Sequence, residues 1–276
     1  MRRTRVLMLL AACGMLATGL IAAGCGDDDD GGADIASTKD LKGLDVGVQD
    51  GTTGETYAKD ETDASKVRGY PQGPDAVNAL KNGQVDAVII DEPVAVDAVE
   101  KQGGVEIVET IATDELYGIF FPPEYDSLRE EFNTELAAMK EDGTLADLYD
   151  EYFPGVEPPD SVIDGTTEVE DDSGTGGPAG GDDLLVATDA PFPPFEIGEP
   201  PNVSGFDIDV MNEIADRLGS EVEYQNTSFE TIFRDVAGER FDTAVAATTI
   251  TPGRSNTVDF SDPYYEAQQA LVVESG

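Results

Sequence analysis

The residues best placed for chemistry are an arginine, an aspartate and a threonine-rich turn. Arg254 ends the sequence TPGR (251–254), in which the proline fits the first position of a helix, so its guanidinium would lie in a first helical turn. Asp91 ends the apolar run VDAVII (85–90), at the end of a strand, where open α/β sheets usually bind ligands. GTTGE (51–55) offers backbone N–H groups at a helix N-terminus. Together these groups could hold a small ligand that carries both charges, because burying either charge unpaired is costly.

Each of these groups also has a purely structural interpretation. Arg254 could be a solvated surface cation, since a cation in a first turn opposes the helix dipole. Asp91 could cap a helix that is entered through Pro93. Thr52 and Glu55 fit a capping box, which needs no ligand. The residue types alone leave both interpretations open.

The composition narrows the possible chemistry. The chain has no histidine, which rules out Ser-His-Asp and Cys-His nucleophile systems and histidine-ligated zinc. Neither a GxxxxGK[ST] phosphate loop nor a DxDxDG calcium loop occurs, and no metal site is expected. The formal net charge of −42 repels nucleic acid, so nucleic acid is excluded as a partner. Carboxylates remain as acid–base groups or as binding groups for cations.

The N-terminal segment predicts export. MRRTRVLMLLAACGMLATGLIAAGC has a basic start, an apolar middle and a small-residue end, as secretory signals have. Its end, followed by CGDDDDGG, resembles the lipobox of bacterial lipoproteins. The resemblance implies a signal peptide over 1–24, lipidation of Cys25, an acidic flexible tether over 25–37 and a location on the outer face of the cell membrane, extracellular or periplasmic. Plain secretion and a retained membrane helix over 6–24 remain alternatives.

Two blocks, 38–155 and 183–276, alternate short apolar runs with amphipathic segments, which predicts an α/β fold. Between them, 156–182 is rich in Gly, Pro and acidic residues and is predicted to be a disordered linker, because it can bury too little apolar surface to fold. Apolar runs predict buried strands at 44–48, 85–90, 184–188 and 242–248. Apolar residues three or four apart and a terminal glycine predict two helices: Phe206, Val210, Ile214 and Leu218 before Gly219, and Leu128, Phe132, Leu136 and Met139 before Gly143.

Five segments carry a resemblance to a known family. They are LKGLDVGVQDGTTGETYAKD (41–60), NGQVDAVIIDEP (82–93), TDAPFPPFE (188–196), GFDIDVMNEIADRLG (205–219) and TTITPGRSNTVDFSDPYYEA (248–267). The chain resembles the extracellular solute-binding proteins of ABC transporters, specifically the polar amino-acid-binding family, family 3. The resemblance implies a two-lobe periplasmic-binding-protein-like α/β fold of type II.

The order of these segments differs from that of the family. There, the segment like TDAPFPPFE opens the mature protein, and a helical stretch like residues 127–153 closes it. Here the later half comes first, which indicates a circular permutation with the old ends joined by the linker; two truncated copies in tandem are the alternative. Permutation predicts residues 38–120 as lobe 2, a hinge strand and C-terminal helices over 121–155 that pack on lobe 1, and residues 183–276 as lobe 1. A single covalent crossing is expected near 116–123.

The resemblance also assigns binding roles. It places the clamp for a ligand carboxylate on Arg254, supported by the hydroxyls of Thr249 and Thr53 and by N–H groups near Gly51. Asp91 becomes the partner of a ligand ammonium group. The remaining matched positions shape the pocket: Asp189, which would touch the polar side chain of a ligand, the aromatic walls Phe192 and Phe229, and Ala247, which stands where the family often has serine and can contribute only its backbone. Phe195 is expected in the core.

The expected function is that of a monomeric, lipid-anchored receptor. It would close two lobes around a polar amino acid, cationic or amide-bearing as Asp189 favours, and deliver it to an ABC permease without making or breaking a bond. No cofactor is expected. Two alternatives stay open on the same fold. One is a dehydratase-like enzyme, which needs a further acid–base residue that the sequence does not reveal, and the other is a ligand sensor domain.

Overall fold

A computed structural model describes residues 35–167 and 176–276. The predicted signal peptide, Cys25 and the tether up to residue 34 lie outside the described residues, and so do residues 168–175 of the predicted linker. Ile35 was expected in the flexible tether, but it is buried in an apolar cluster with Leu271, so the packed structure begins before residue 38. Among the described residues, no helix combines the length and the apolar character needed to cross a bilayer.

Ten strands form two five-stranded sheets, which organise the described residues into two α/β lobes, as predicted. Lobe 2 contains β1 (Asp45–Gln49), β2 (Lys66–Tyr70), β3 (Ala87–Asp91), β4 (Val105–Tyr117) and β10 (Tyr265–Glu274), in the order β2-β1-β3-β10-β4. Lobe 1 contains β5 (Phe120–Phe121), β6 (Leu184–Thr188), β7 (Val222–Asn226), β8 (Thr243–Ala244) and β9 (Asp259–Phe260), in the order β7-β6-β8-β5-β9. β1 and β6 each lie between two parallel neighbours, so both lobes share one βαβ plan.

Helices cover both sheets. Lobe 2 carries α1 (Thr53–Glu61), α2 (Gly73–Lys81) and α3 (Glu92–Asp97), which continues into a π-helical turn over Ala98–Gln102. Lobe 1 carries α4 (Asp126–Asp142), α5 (Thr144–Tyr152), α7 (Phe206–Leu218) and α8 (Phe229–Ala237). Three further elements are short: α6 (Asp160–Ile163) and the 3-10 turns Thr38–Asp40 and Arg254–Asn256.

The hydrophobic patterns account for most of these elements. β6 spans the predicted run LLVAT, and the strands predicted in lobe 2 are shifted by one or two residues. α7 buries Phe206, Val210 and Ile214 completely. It ends at Gly219, whose φ of 77° is a left-handed conformation that glycine adopts at little cost. β8 is shorter than the predicted strand 242–248, because the chain leaves the sheet there and enters the interlobe cleft.

Helices α4 and α5 of the first block pack against α7 of the second block. Phe132, Leu136 and Met139 of α4 are fully buried. Arg217 of α7 places Nη1 2.9 Å from Oδ2 of Asp142 at the end of α4. The first block thus helps to complete the core of lobe 1, which is the packing that a permuted chain requires. The permutation remains a prediction.

The predicted lobe boundaries are wrong at two places. Phe120 lies in β5 of lobe 1, so the chain leaves lobe 2 after Tyr117. β10 was assigned to lobe 1, but it pairs antiparallel with both β3 and β4 and completes the sheet of lobe 2. Without β10, both of these strands would present an unpaired edge, which sheets rarely tolerate at such length. The chain therefore crosses between the lobes twice, once before β5 and once before β10.

The predicted linker is also more ordered than expected. Val162 of α6 is fully buried in the main apolar core. Beyond α6, the backbone N–H of Thr167 donates to Oδ1 of Asp262 at 2.7 Å, and its hydroxyl donates to the carbonyl of Ser261 at 2.7 Å. The burial of Val162 and the hydrogen bonds to the crossing before β10 thus hold residues 156–167 against lobe 1, although the composition of this part favours disorder.

Candidate functional site

A cavity between the two lobes is lined by eight of the nine binding residues predicted from the sequence. Asp91 and Thr53 line it from lobe 2, and Asp189, Phe192, Phe229, Ala247, Thr249 and Arg254 line it from lobe 1. The ninth residue, Gly51, reaches the site through its carbonyl oxygen, which accepts a hydrogen bond from Nη2 of Arg254 at 3.3 Å. Residues from both blocks of the sequence therefore meet in one cleft.

Arg254 is held across the boundary between the lobes. Its backbone N–H donates to Oγ1 of Thr251 at 3.2 Å, the cap-like bond expected, although the turn that follows is a 3-10 helix of three residues. Nη1 donates to the carbonyl of Thr249 at 2.7 Å. The guanidinium carbon lies 5.1 Å from the ring centroid of Phe229 and 5.0 Å from that of Phe233. Burial lowers the pKa of Arg254, and nearby acidic groups oppose that shift.

Asp91 does not cap the helix that follows it. Its side chain makes no cap hydrogen bond to α3. Its oxygens instead accept hydrogen bonds from the hydroxyl of Tyr117 and from Nε2 of Gln269. Burial, and then repulsion from Glu115, raises the pKa of Asp91 to about 7. The carboxyl group is thus desolvated and turned toward the cleft, and a cation there would favour its ionised form.

The turn GTTGE both caps helix α1 and contributes a residue to the cleft. Oγ1 of Thr52 accepts from the backbone N–H of Glu55 at 3.1 Å, which is the predicted cap. The return bond differs from a standard capping box, because Oε2 of Glu55 accepts from the N–H of Gly51 at 2.8 Å. Thr53, the first residue of α1, is left to face the cleft, where its hydroxyl donates to Oε2 of Glu115 at 2.7 Å.

Asp189 connects the lobes through two amides. Its Oδ2 accepts from Nε2 of Gln49 at 2.8 Å, and its Oδ1 accepts from Nε2 of Gln72 at 2.7 Å, both from lobe 2. Burial raises its pKa to about 6. The neighbouring wall residue Phe192 packs against the start of α2, where a Cβ on Gly73 would lie only 2.7 Å from the ring. Glycine at this position permits the close approach of the lobes.

The backbone N–H of Ala247, which was expected to contribute to the pocket, is used within the protein instead. Its φ is 41°, a strained conformation for alanine, and its N–H donates to Oδ2 of the buried Asp207 at 2.6 Å. That N–H is therefore committed to the protein. Asp207 also faces Glu196, whose pKa is raised well above its usual range by burial and by Asp207. The side-chain oxygens of Glu196 and Oδ1 of Asp207 have no hydrogen-bond partner among the described residues. If Glu196 is protonated, its hydroxyl can donate to Oδ1 of Asp207.

Sequence reasoning missed four polar residues of the cleft: Gln49, Glu115, Tyr117 and Gln269. Glu115 accepts from the hydroxyls of Thr53 and Thr249, at 2.7 and 2.5 Å, and from Nε2 of Gln269 at 3.2 Å. One signal was available for it, since it lies next to the predicted crossing near 116–123. Among 58 acidic residues, however, one more glutamate carries no pattern of its own.

The cleft is rich in negative charge. Three buried carboxyl groups, those of Asp91, Glu115 and Asp189, lie at or beside a cavity that contains one guanidinium. Within the described ranges, no group of three or more His, Cys, Asp or Glu side chains is arranged to hold a metal ion. The cleft therefore presents polar groups suited to a small organic ligand with cationic character.

A charged cleft between two α/β lobes can bind a small ligand, and comparison with known proteins shows which family part of the chain resembles. Residues 184–276 match the sequence model of the bacterial extracellular solute-binding proteins, family 3. This segment is similar to that family, and the two five-stranded sheets with their helices confirm the predicted α/β fold with two lobes.

Individual relatives match shorter parts of the chain. The arginine-binding extracellular protein ArtP of Bacillus subtilis is 34% identical over 100 residues, which cover 36% of this chain and 39% of the relative. A probable histidine-binding protein of Neisseria gonorrhoeae is 36% identical over 92 residues, or 33% and 34% of the two chains. The solved structure of an ancestral arginine-binding protein bound to arginine shares 41% identity over 31% of this chain and 38% of its own, with a TM-score of 0.29. The chain thus spans less than half the length of each of these relatives.

Proposed function

We propose that the protein is an exported receptor that binds a polar amino acid between its lobes and delivers it to an ABC permease. One observation carries the proposal: Asp91 of lobe 2 and Arg254 of lobe 1 line the same cavity. An amino acid needs an anion for its ammonium group and a cation for its carboxylate. The similarity of residues 184–276 to the solute-binding proteins of family 3 supports solute binding for transport.

Closure of the lobes would be coupled to binding. Arg254 already contacts Gly51 of the opposite lobe, and Asp189 contacts Gln49 there. A ligand that engages Asp91 and Arg254 together satisfies both of its charges only when the lobes are closed. Such a ligand shifts the population toward the closed state, which is the form that a permease would recognise.

The ligand class follows from Asp189. Its carboxyl group is braced by two amides and is positioned to receive the side chain of a ligand, which favours arginine, lysine, histidine or glutamine over apolar and acidic amino acids. The names of the relatives, arginine-binding and probable histidine-binding, agree with this class.

The lipid anchor at Cys25 and the permuted chain order belong to the same proposal. An anchored receptor would remain close to its permease, and the packing of α4 and α5 on α7 supports the permuted order over tandem fragments. Mass spectrometry of the membrane-bound protein tests the anchor, since a diacylated N-terminal Cys25 is expected. An unmodified N-terminus downstream of Cys25 would contradict it.

A thermal-shift screen of the twenty amino acids, followed by calorimetry, tests the ligand class. A ligand that binds only the native state raises the melting temperature. We expect stabilisation by arginine, lysine, histidine or glutamine. Stabilisation only by leucine-like or glutamate-like ligands would contradict the proposed class.

One observation, the position of Glu115, favours the alternative that the protein is an enzyme. A dehydratase-like activity needs an acid–base residue besides those that hold the ligand, and Glu115 is a further carboxyl group beside Asp91. Incubation with the bound amino acid, followed by mass spectrometry of the ligand, decides between the candidates. We expect the ligand to remain intact, whereas a loss of water or of carbon dioxide would establish turnover.

A further inference from the structure

The carboxylate of Glu115 accepts hydrogen bonds from two hydroxyl groups that line the proposed site. Thr53 comes from α1 of lobe 2, and Thr249 comes from lobe 1. Both hydroxyls, named the hydroxyl pair below, donate to the same oxygen, Oε2, at 2.7 and 2.5 Å. The other oxygen, Oε1, accepts from Gln269 at 3.2 Å. Glu115 is 6% exposed, so these bonds form away from bulk water.

The hydroxyl pair belongs to the donors that the family resemblance assigns to the carboxylate of a ligand. A hydroxyl has one hydrogen to donate, so each hydroxyl that donates to Glu115 is unable to donate to a ligand at the same time. Arg254, the remaining donor for a ligand carboxylate, directs Nη1 and Nη2 to the carbonyls of Thr249 and Gly51. A ligand carboxylate would therefore compete with Glu115 for the hydroxyl pair and would be repelled by it.

We propose that Glu115 is a specificity-determining residue that biases the cleft toward ligands of net positive charge, by engaging the hydroxyl pair with its own carboxylate. The proposal rests on the proposed function, because it concerns how an amino acid binds in that cleft. Gln269 donates to both Glu115 and Asp91, so these two carboxyl groups lie side by side, and Asp91 lines the same cavity as the guanidinium of Arg254. An amino acid without a cationic side chain would meet this excess negative charge uncompensated.

The substitution Glu115→Gln tests this role while changing little else. Glutamine keeps the size of the side chain and an oxygen that can accept from the hydroxyl pair, but it removes the negative charge. The probes are L-arginine and agmatine, which carries the same guanidinium and an amine but has no carboxylate. Glu106→Gln is the matched control, since Glu106 is an exposed acid on the same strand β4. Calorimetry measures the affinities, and thermal unfolding confirms that each variant is folded.

We expect Glu115→Gln to shift the ratio of the arginine affinity to the agmatine affinity by about tenfold in favour of arginine, because agmatine carries one more net positive charge than arginine and no carboxylate that Glu115 would repel. Glu106→Gln should leave both affinities near wild type. An arginine-to-agmatine affinity ratio that Glu115→Gln leaves unchanged would overturn the proposal and make Glu115 a ligand of the ammonium group or a structural residue. Failure of the wild-type protein to bind arginine would instead contradict the proposed ligand class.

Discussion

Two aspartates of lobe 1, Asp189 and Asp207, are buried to a similar degree. Asp189 has hydrogen-bond partners in the opposite lobe, whereas the partners of Asp207 lie in lobe 1 or at its edge. Both side chains are almost fully inaccessible, and burial raises the pKa of each to about 6. Their partners differ. Asp189 accepts from amides of Gln49 and Gln72 in lobe 2. Asp207 accepts from Tyr264 at 2.8 Å and from Ala247 at 2.6 Å, both within lobe 1 or at its edge.

The origin of these partners determines what each carboxyl group can do. The bonds of Asp189 join the two lobes, so under the proposed function they would break when the lobes open for a ligand and form again on closure. The bonds of Asp207 hold the chain where it leaves β8 and enters the cleft, so they would persist if the lobes moved apart. Under the proposed function, similar burial and a similarly raised pKa accompany a binding role for Asp189 and a structural role for Asp207.

The largest effect expected from this comparison is on stability. Asp207→Ala leaves the hydroxyl of Tyr264 and the N–H of Ala247 without their acceptor and breaks the carboxyl pair with Glu196. We expect the free energy of unfolding to fall by about 3–5 kcal/mol, because two buried donors each lose their acceptor at a cost of about 1–3 kcal/mol. Chemical denaturation measures it. Asp207→Asn, which keeps one acceptor oxygen, should lose much less, and an equal loss in both variants would contradict the scaffold role.

The next effect concerns binding. Arg254→Ala leaves the carboxylate of the ligand without its cation, so the affinity for arginine should fall by about 3 kcal/mol in calorimetry. Arg254→Lys is the matched variant, because it keeps the charge and loses the planar fork that reaches both Thr249 and Gly51. Its affinity should lie between those of the wild type and the alanine variant. Near-wild-type affinity in Arg254→Ala would remove this residue from the site.

The comparison also shows how far the sequence could predict this site. Apolar periodicity and terminal glycines located α7, and the apolar run LLVAT located β6, because these elements bury one continuous face. Asp91 and Asp189 were found because each stands at the end of such a strand. Their positions follow from local sequence, and resemblance to a family supplied their roles.

What the sequence could not predict depends on contacts between distant segments. β10 contains the polar pair Gln268 and Gln269 within an apolar strand, and only its pairing between β3 and β4 explains why Gln269 is fully buried. Glu115 becomes a cleft residue only when Thr53 and Thr249, which are 196 positions apart, meet at its carboxylate. No local sequence pattern predicts that these three residues are in contact.

A smaller effect sharpens the contrast between the two aspartates. Asp189→Asn should weaken arginine binding by about 2 kcal/mol, since it removes a desolvated charge that would face the side chain of the ligand. The free energy of unfolding should stay level or rise, because a carboxyl group whose pKa is raised by burial is lost. Asp216→Asn, an exposed site on α7, is the control. Loss of stability with unchanged affinity would place Asp189 in the same class as Asp207.

The smallest expected effect is the pH dependence of binding. Asp91, faced by Glu115, Tyr117, Gln269 and Arg254, has a pKa of about 7 in the free protein. It attracts a ligand ammonium only as a carboxylate, so the affinity should be high above this pKa and fall as the pH drops through it. Between pH 8 and pH 6 the ionised fraction falls from about nine-tenths to about one-tenth, which weakens binding about tenfold, or about 1.4 kcal/mol. Because Asp207 makes its bonds within the scaffold, Asp207→Asn should keep this slope. Asp91→Asn should bind more weakly throughout and keep only the roughly twofold change that Asp189, whose pKa is about 6, contributes. Calorimetry between pH 6 and pH 8 measures how the affinity of the wild type and of the two variants depends on pH. If the pH dependence disappeared in Asp207→Asn and survived in full in Asp91→Asn, the roles assigned to these two aspartates would be wrong.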